Sequence, residues 1–486
     1  WNEKLYGESL FESFQSLKTA FDPDWLLNPG NVCGDVDMRE NLRFDDEYTF
    51  DPGFDAALEW DIENGMQGMV ELCHGCGGCR GPQETTGGVM CPTYRAADEE
   101  IQSTRGRANM LRGAINGELP ADPTDDEFVT EVMDLCVGCK GCAKNCPSGV
   151  DMAKLKAEVE HAHHAEHGAS LRTRLLGAFE SLAPIGSALA PLSNLPGKLP
   201  GAGILLEKTL GIARERDLPA FASESLTDWF DARGGAAVPR AEADREVLLF
   251  PDVYTTYTNP TAGKAAVRVL EAANCHVQIP DVTGSGRPPH SKGLLDESRA
   301  TAKDTVETLT PDVEAGWDVV VVEPTDAVML QSDYADLLCG DASDVPDADV
   351  EAVADHTYGV MEYLDVHRLD ERVSFDAPTE RLTYHGHCHQ KATKKDHHAV
   401  GVLRRAGYGV DPLDSTCCGM AGSFGYEAEH YSMSRAIGEI LYEQVDESDG
   451  DVVVAPGASC STQLKDRGID AEEPPHPVEK LASALA

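Results

Sequence analysis

Short apolar runs alternate with segments of helical period along the second half of the chain. From residue 245 the order is strand, helix, strand, glycine-rich turn, helix and strand, at 247–251, 263–273, 276–279, 284–288, 293–309 and 318–322. The same order returns at 382–385, 397–406, 408–413, 417–422, 431–445 and 451–455. Apolar strands that alternate with helices form parallel sheets covered by helices. The pattern therefore predicts two related α/β repeats, repeat one at 245–340 and repeat two at 380–486, arranged as a pseudo-two-fold pair.

The first half of the chain is predicted to be mostly helical. In a first segment, 1–48, apolar residues at helical spacing predict one helix: Leu10, Phe14, Leu17 and Phe21. A second segment, 60–167, holds most of the cysteines. Its helices are predicted near 103–116, 125–135 and 151–167.

Residues 168–240 are rich in Pro, Gly, Leu and Ala and predict short helices and a linker. Amphipathic stretches in this segment suit a partner or a membrane surface, although packing on the neighbouring domain is the favoured interpretation. The fold class is thus a multidomain α+β and α/β protein, because a chain of 486 residues exceeds a single ordinary core.

The charge of the chain is strongly negative, with 84 acidic against 40 basic residues and a net charge of −44. Such a chain repels nucleic acid and anionic lipid headgroups, and we expect no nucleic-acid partner. The acid is spread along the sequence, which favours adaptation to a high-salt cytoplasm over an acidic binding surface. No apolar run is long enough to span a membrane, and no signal peptide is visible. The first residue is Trp1, which suggests a processed chain or part of a longer polypeptide.

Eight of the 15 cysteines lie in two dense runs. The first run is Cys73-x2-Cys76-x2-Cys79 with Cys91-Pro92 after it, and the second is Cys136-x2-Cys139-x2-Cys142-x3-Cys146-Pro147. These spacings are too tight for a disulfide framework, and nothing indicates an oxidising compartment. They predict metal or cluster ligation in a reducing cytoplasm.

The second run has the spacing of bacterial ferredoxins, in which three close cysteines hold one cubane and the cysteine before proline reaches the other. It predicts two [4Fe–4S] clusters. Cluster A uses Cys73, Cys76, Cys79 and Cys146, and cluster B uses Cys136, Cys139, Cys142 and Cys91. Residues 80–90 then form an inserted loop in the first run. Two zinc sites are the alternative, but zinc takes ligands in two close pairs, which runs of three fit poorly.

Repeat two carries a further cysteine set at the ends of its strands, where open α/β sheets place their sites: Cys388, Cys417, Cys418 and Cys460. This set predicts a third iron–sulfur cluster, a zinc ion or a redox disulfide, against buried free cysteines. Histidine ligation from His385, His387 or His389 is a less favoured alternative.

The corresponding positions of repeat one carry no thiol: they are Asp252, Gly284, Ser285 and Asp326. Repeat one is therefore predicted to be structural or to dock an acceptor.

These residues resemble a known family. The chain is similar to the C-terminal half of fused FAD-linked oxidase/iron–sulfur proteins of the D-lactate or D-2-hydroxyglutarate dehydrogenase type. It is also similar to the iron–sulfur subunits of glycolate oxidase and anaerobic glycerol-3-phosphate dehydrogenase. The motifs that carry the resemblance are Phe21-Asp22-Pro23, Asn28-Pro29-Gly30, Gly87-Gly88-Val89-Met90-Cys91-Pro92, Ser103-Thr104-Arg105-Gly106-Arg107-Ala108 and Gly286-Arg287-Pro288.

The resemblance implies a ferredoxin-like module followed by two cysteine-rich CCG repeats, of which repeat one is degenerate. It implies that residues 1–48 are the tail of an FAD-linked oxidase domain, and that FAD lies on a partner chain or on an absent N-terminal part. Electrons would pass from a 2-hydroxy acid or glycerol 3-phosphate through flavin to these clusters, then to quinone or a similar acceptor. The location would be the cytoplasm or the inner face of the membrane. A thiol–disulfide reductase resembling heterodisulfide reductase is the alternative.

Overall fold

The structure is a computed structural model that describes residues 2–37, 39–40, 48–81, 90–195, 199, 201–468 and 471–486. Most of the predicted inserted loop, including Gly87–Val89, and residues 41–47 of the first segment lie outside the described residues. The chain divides into two compact units, Trp1–Phe50 and Asp51–Ala486.

The described residues of the first unit form two helices, Asn2–Tyr6 and Glu8–Phe21, and the second is the helix that the apolar spacing predicts. Asp22 ends this helix and is buried. Its carboxylate pairs with Lys18 and accepts the backbone N–H groups of Leu26 and Leu27, both at 2.9 Å. One buried carboxylate thus stabilises the turn that follows the helix.

The second unit begins with a helical cysteine-rich part. Its helices are Gly65–Glu71, Pro92–Ala97, Thr104–Ile115, Asp126–Phe128 with the π-helical turn Val129–Met133, Gly141–Asn145 and Met152–His167. Asp151 caps the last of these by accepting the N–H groups of Ala153 and Lys154. The buried Glu158 accepts the N–H groups of Ala57 at 2.8 Å and Leu58 at 2.7 Å, which attaches the preceding segment.

The segment after residue 168 forms short helices, as predicted. They are Leu171–Gly177, Phe179–Ala188, Ala202–Leu210 and Leu226–Ala232. Ser170 caps the first helix, and Ser225 forms a capping box with Asp228 at the last.

Two small parallel sheets follow. The strands of the first sheet are β1 (Arg245–Leu249), β2 (Cys275–Gln278), β3 (Asp318–Val321) and β4 (Thr357–Gly359), in the order β2-β1-β3-β4. The strands of the second are β5 (Arg381–Tyr384), β6 (Gly409–Pro412) and β7 (Val452–Val454), in the order β6-β5-β7. All pairs are parallel. The arrangement of β6-β5-β7 repeats that of β2-β1-β3.

The helices that connect and cover these strands are Val253–Tyr257, Pro260–Ala272, Arg287–His290, Leu295–Glu314, Pro324–Val328 with the π-helical turn Met329–Asp333, Tyr334–Leu338, Asp347–Asp355, Val360–Val366, Cys388–Ala392, His397–Arg405, Tyr431–Glu447, Ala458–Lys465 and Pro477–Ser483. The strand β4 lies beyond the range predicted for repeat one. It is short and polar, so it lacks the apolar run by which the other strands of its sheet are detected.

The two sheets share a core. Val247 and Leu249 of β1 pack in one apolar cluster with Leu382 and Tyr384 of β5, while Leu248 belongs to a second cluster beneath helix Leu295–Glu314. Strands buried on both faces explain why the sequence reads there as continuous apolar runs. In the described part of the chain, no helix has both the length and the apolar character needed to cross a bilayer.

Candidate functional site

The second cysteine run surrounds a small cavity. Cys136, Cys139 and Cys142 line a space of about 20 Å³ together with Cys91 from the first run. Lys140 has a left-handed backbone, with φ of 56°, and helix Gly141–Asn145 begins directly after it. This sharp turn brings Cys139 and Cys142, which are separated by two residues, to the same cavity.

Cys91 also has a left-handed backbone, with φ of 51°, and Pro92 starts the next helix. Its sulfur accepts the backbone N–H of Thr104 at 3.0 Å. It also hydrogen-bonds to Cys79, and this bond lowers the pKa of the Cys79 thiol to about 6. Cys91 therefore contacts the first run while it lines the cavity of the second.

The rest of the first run is more exposed. Cys76 is exposed and Cys73 is half-buried. Burial raises the pKa of Cys73, and the negative charges of Cys79 and Cys146 raise it further. Cys146, although part of the second run, is therefore close enough to Cys73 for the charges of the two sulfurs to interact.

These thiols fit a metal-centred cofactor. All fifteen cysteines are free of disulfides. Burial first, and then the charges of Asp151 and Cys136, raise the pKa of Cys142 to about 12, while Met152 N–H donates to its sulfur at 3.3 Å. Thiolates buried close together repel one another, and a bound metal cation offsets that repulsion. Backbone N–H groups that donate to sulfur are typical of iron–sulfur sites.

The cysteines of repeat two meet at the carboxyl ends of the second sheet. Cys388 follows β5, Cys417 and Cys418 follow β6, and Cys460 lies in the helix after β7; none is more than 7% exposed. Cys417 contacts Cys388 and Cys418, and Cys418 contacts Cys460. The structure thus brings these four predicted residues together.

Gly419 is needed in this turn. Its φ is 90°, and an added Cβ would lie 2.5 Å from the carbonyl oxygen of Ser434. Its N–H donates to the sulfur of Cys417 at 3.4 Å. Any larger residue would displace the loop that holds the adjacent cysteines.

The three predicted histidines have different surroundings. His385 pairs with Ser415 Oγ at 2.6 Å and lies beside Cys418, while burial lowers its pKa. Burial also lowers the pKa of His387 to about 4. His389 Nε2 lies 3.0 Å from the carbonyl oxygen of Gly138, in the loop of the second cysteine run. Low pKa values keep these imidazoles neutral.

The second run and the cysteines of repeat two are neighbours. Cys139 belongs to the apolar cluster that contains all four cysteines of repeat two. Burial raises its pKa, and Cys388 is the next largest cause. A second cavity of about 110 Å³ is lined by Cys136, Cys388, Cys417 and Cys418 and by cationic groups that include Lys140, Lys156, Arg287 and Lys292.

Buried ion pairs hold these parts together. Asp333 of repeat one pairs with Lys140 and, at 2.9 Å, with Arg287. Asp134 pairs with His430 at 2.7 Å. Burial opposes ionisation of Asp134, but the hydrogen bond from His430 and the charge of a nearby lysine lower its pKa to about 2. Sequence reasoning missed this network, and the position of Lys140 between Cys139 and Cys142 is the signal that could have pointed to it.

Repeat one has buried carboxylates where repeat two has thiols. Asp252 follows β1, and Glu323 and Asp326 follow β3. All are buried, as is Glu180 from helix Phe179–Ala188. Sequence reasoning identified Asp252 and Asp326 but missed both glutamates. Glu323 could have been found, because it directly follows an apolar strand, whereas nothing in the sequence pointed to Glu180.

Family models match three parts of the chain. Residues 69–150 match the 4Fe-4S dicluster domain, residues 382–465 the Cysteine-rich domain, and residues 1–32 the FAD linked oxidases, C-terminal domain.

Several curated proteins are similar to the chain. D-2-hydroxyglutarate dehydrogenase of Escherichia coli is 24% identical over an alignment of 535 residues with gaps, which covers 100% of this chain and 50% of that protein. One subunit of the anaerobic glycerol-3-phosphate dehydrogenase of the same organism is 28% identical, over 65% of this chain and 78% of its own length. The glycolate oxidase iron-sulfur subunit, also of Escherichia coli, is 22% identical over 89% of this chain and 94% of its own length.

The chain spans about half the length of the D-2-hydroxyglutarate dehydrogenases that it matches. It combines a helix-rich iron–sulfur part with small parallel sheets, as the sequence predicted. In its three matched parts the chain thus resembles proteins of the D-2-hydroxyglutarate dehydrogenase type, which combine iron–sulfur and FAD-linked oxidase domains.

Proposed function

We propose that the chain carries electrons from a flavin site through two [4Fe–4S] clusters to the cysteine site of repeat two, in a dehydrogenase for a 2-hydroxy acid or glycerol 3-phosphate. The observation that carries this proposal is the contact between successive cysteine sets. Cys91 contacts Cys79 and lines the cavity of the second run, and Cys139 packs against Cys388. Contacts between successive cysteine sets favour a continuous route for electrons from the first run to the cysteines of repeat two.

In this proposal the cluster ligands are exchanged between the two runs. Cluster A is held by Cys73, Cys76, Cys79 and Cys146, and cluster B by Cys136, Cys139, Cys142 and Cys91. The nearness of Cys146 to Cys73 and the position of Cys91 in the cavity of the second run support this assignment. The clusters, when bound, supply one-electron redox chemistry.

The cysteines of repeat two form the third centre of the proposed route: Cys388, Cys417, Cys418 and Cys460. An iron–sulfur cluster suits this position better than zinc, because zinc has no redox chemistry and the site adjoins Cys139. His389, which bridges to the loop of the second run, would position the two sites relative to each other.

Electrons would enter from an FAD-binding domain or subunit. The match of residues 1–32 to the C-terminal domain of FAD linked oxidases supports this partner. The substrates in the names of the relatives, D-2-hydroxyglutarate, glycolate and glycerol 3-phosphate, support the proposed substrate class. A quinone or a similar carrier would accept the electrons.

The proposal includes a peripheral contact with an anionic membrane surface. Helices between residues 171 and 210 expose large apolar side chains, among them Leu182, Ile185, Ile204 and Leu205. Residues 171–214 contain five basic and two acidic residues, against 40 and 84 in the whole chain. This local reversal of charge complements anionic headgroups, and the apolar side chains suit the lipid boundary.

Vesicle sedimentation tests the membrane contact. The chain should bind vesicles that contain anionic lipid, and the double substitution Leu182→Glu and Ile185→Glu should abolish binding. Val366→Glu, at a half-exposed apolar position elsewhere, is the matched control and should bind as the unmodified chain does. Equal binding by both variants would refute this contact.

Iron analysis and EPR test the cluster assignment. Clusters A and B alone predict about eight irons per anaerobically purified chain, the third centre adds to this number, and fewer than about six would refute the proposal. Cys146→Ala should damage the cluster that Cys73→Ala damages, and Cys91→Ala the cluster that Cys139→Ala damages. The isolated Cys275→Ser is the control. If Cys146→Ala and Cys139→Ala remove the same EPR signal, ligation is local to each run.

A further inference from the structure

A row of buried polar side chains connects helix Phe179–Ala188 with repeat one. Glu180 accepts the N–H of Ser285 at 2.8 Å, and Ser285 Oγ donates to Asp326. Thr325 Oγ1 lies 3.3 Å from a carboxylate oxygen of Asp326. Carboxyl and hydroxyl groups therefore alternate from Glu180 to Thr325.

The two ends of this row are at different places in the second unit. Thr325 lines the cavity of about 110 Å³ that Cys388, Cys417 and Cys418 also line. Glu180 belongs to the helix that exposes Leu182 and Ile185. The row thus extends from the thiol-lined cavity to helix Phe179–Ala188, which carries exposed apolar side chains.

The row lies in a dry environment. Burial first, and then the charge of Asp326, raise the pKa of Glu180 to about 8. The same two causes raise the pKa of Asp252 to about 7. The charged and titratable groups that face the row are Asp252, Glu323, Arg287, Tyr254 and Tyr334. Arg287 is the one cation among these named groups. Burial and the charge of Asp326 therefore keep Glu180 protonated at neutral pH.

The cavity itself has features of a ligand site. Two buried histidines that line it, His389 and His430, each have a Nδ1 atom without a hydrogen-bond partner. Both side chains are at most 4% exposed. Orphaned buried polar atoms at a cavity wall indicate that a bound group completes them.

We propose that Thr325, Asp326, Ser285 and Glu180 form a proton-transfer path to the thiol-lined cavity. Each hydroxyl in the row can accept one hydrogen bond and donate another, and each carboxyl group can hold the proton between them. The row would give repeat one, which carries no thiol at the positions of the four repeat-two cysteines, a role in the acceptor reaction.

The path rests on the proposed function, in which the electrons reach a quinone-class acceptor. Reduction of a quinone to the hydroquinone consumes two electrons and two protons and forms one O–H bond at each carbonyl oxygen. The electrons come from the oxidised substrate by way of the redox sites of the chain. The protons come from solvent through the path.

Single-turnover oxidation separates proton transfer from electron transfer. The iron-loaded chain is reduced with dithionite, freed of excess reductant and mixed with either a short-chain ubiquinone analogue or ferricyanide, which accepts an electron without a proton. Glu180→Gln and Asp326→Asn should slow reoxidation by the quinone about tenfold or more and change reoxidation by ferricyanide by less than about twofold. Glu158→Gln, a buried glutamate that also accepts backbone N–H groups, is the control and should change neither.

Infrared spectroscopy provides a second measurement that needs no acceptor. At neutral pH the unmodified chain should show the carbonyl band of a buried protonated carboxyl group, and Glu180→Gln should weaken it. Absence of this band, or equal slowing with both oxidants, would overturn the path. If ferricyanide reoxidises the unmodified chain and the quinone does not, the proposed electron transfer is retained and the path alone is overturned.

Discussion

The substitution Glu180→Gln should change how the stability of the fold depends on pH. Glu180 has a pKa of about 8 in the folded chain, against an ordinary value of 4.5. Since the folded pKa is the higher one, the folded state binds a proton that the unfolded state has lost between these two values. The stabilisation is complete below about pH 4.5 and is lost as the pH rises through about 8.

The size of this effect follows from the difference between the two pKa values. At 1.36 kcal/mol for each pKa unit, it amounts to about 5 kcal/mol of the free energy of unfolding. Glutamine is neutral at every pH and keeps a carbonyl oxygen that can accept the N–H groups of Ser285 and Gly286. Part of this effect is already present at pH 5, so the variant should gain about 4 kcal/mol relative to the unmodified chain between about pH 5 and about pH 9.

Guanidinium denaturation followed by tryptophan fluorescence measures this gain at both pH values. Both proteins are compared at the same salt concentration, so that screening of the acidic surface cancels. Glu158→Gln reports the cost of a generic substitution of a buried glutamate. A difference between variant and unmodified chain that is equal at both pH values, within about 1 kcal/mol, would refute the linkage argument.

Three further predictions concern the network around the cysteines. Asp333→Asn leaves Lys140 buried without its carboxylate and should cost about 3–5 kcal/mol in denaturant unfolding; a loss below about 1 kcal/mol would contradict the burial argument. Asp134 has a pKa of about 2, so its stabilisation is present above about pH 4 and is lost as the pH falls through about 2; Asp134→Asn should flatten this acid limb in a pH series of melting temperatures. Cys418→Ser should lower the iron content while leaving the two-cluster EPR signals intact, and an unchanged iron content would exclude a third cluster.

The sequence alone determined the local features of this protein. The spacing of the second cysteine run depends on how one backbone turn presents several sulfurs, so Cys136, Cys139 and Cys142 could be assigned to one centre without tertiary information. Strands such as β3 and their covering helices were also predictable, because burial on both faces leaves an unbroken apolar run. The short polar strand β4 carries no such signal.

Only the tertiary structure decided which parts meet. The contact of His389 with Gly138 joins residues 251 positions apart, and no periodicity encodes a contact of that separation. The burial of Glu180 beside Asp326 likewise depends on how helix Phe179–Ala188 packs on repeat one. Local spacing reflects the geometry of a few consecutive residues, whereas long-range contacts depend on the packing of surfaces that form only when the whole unit folds.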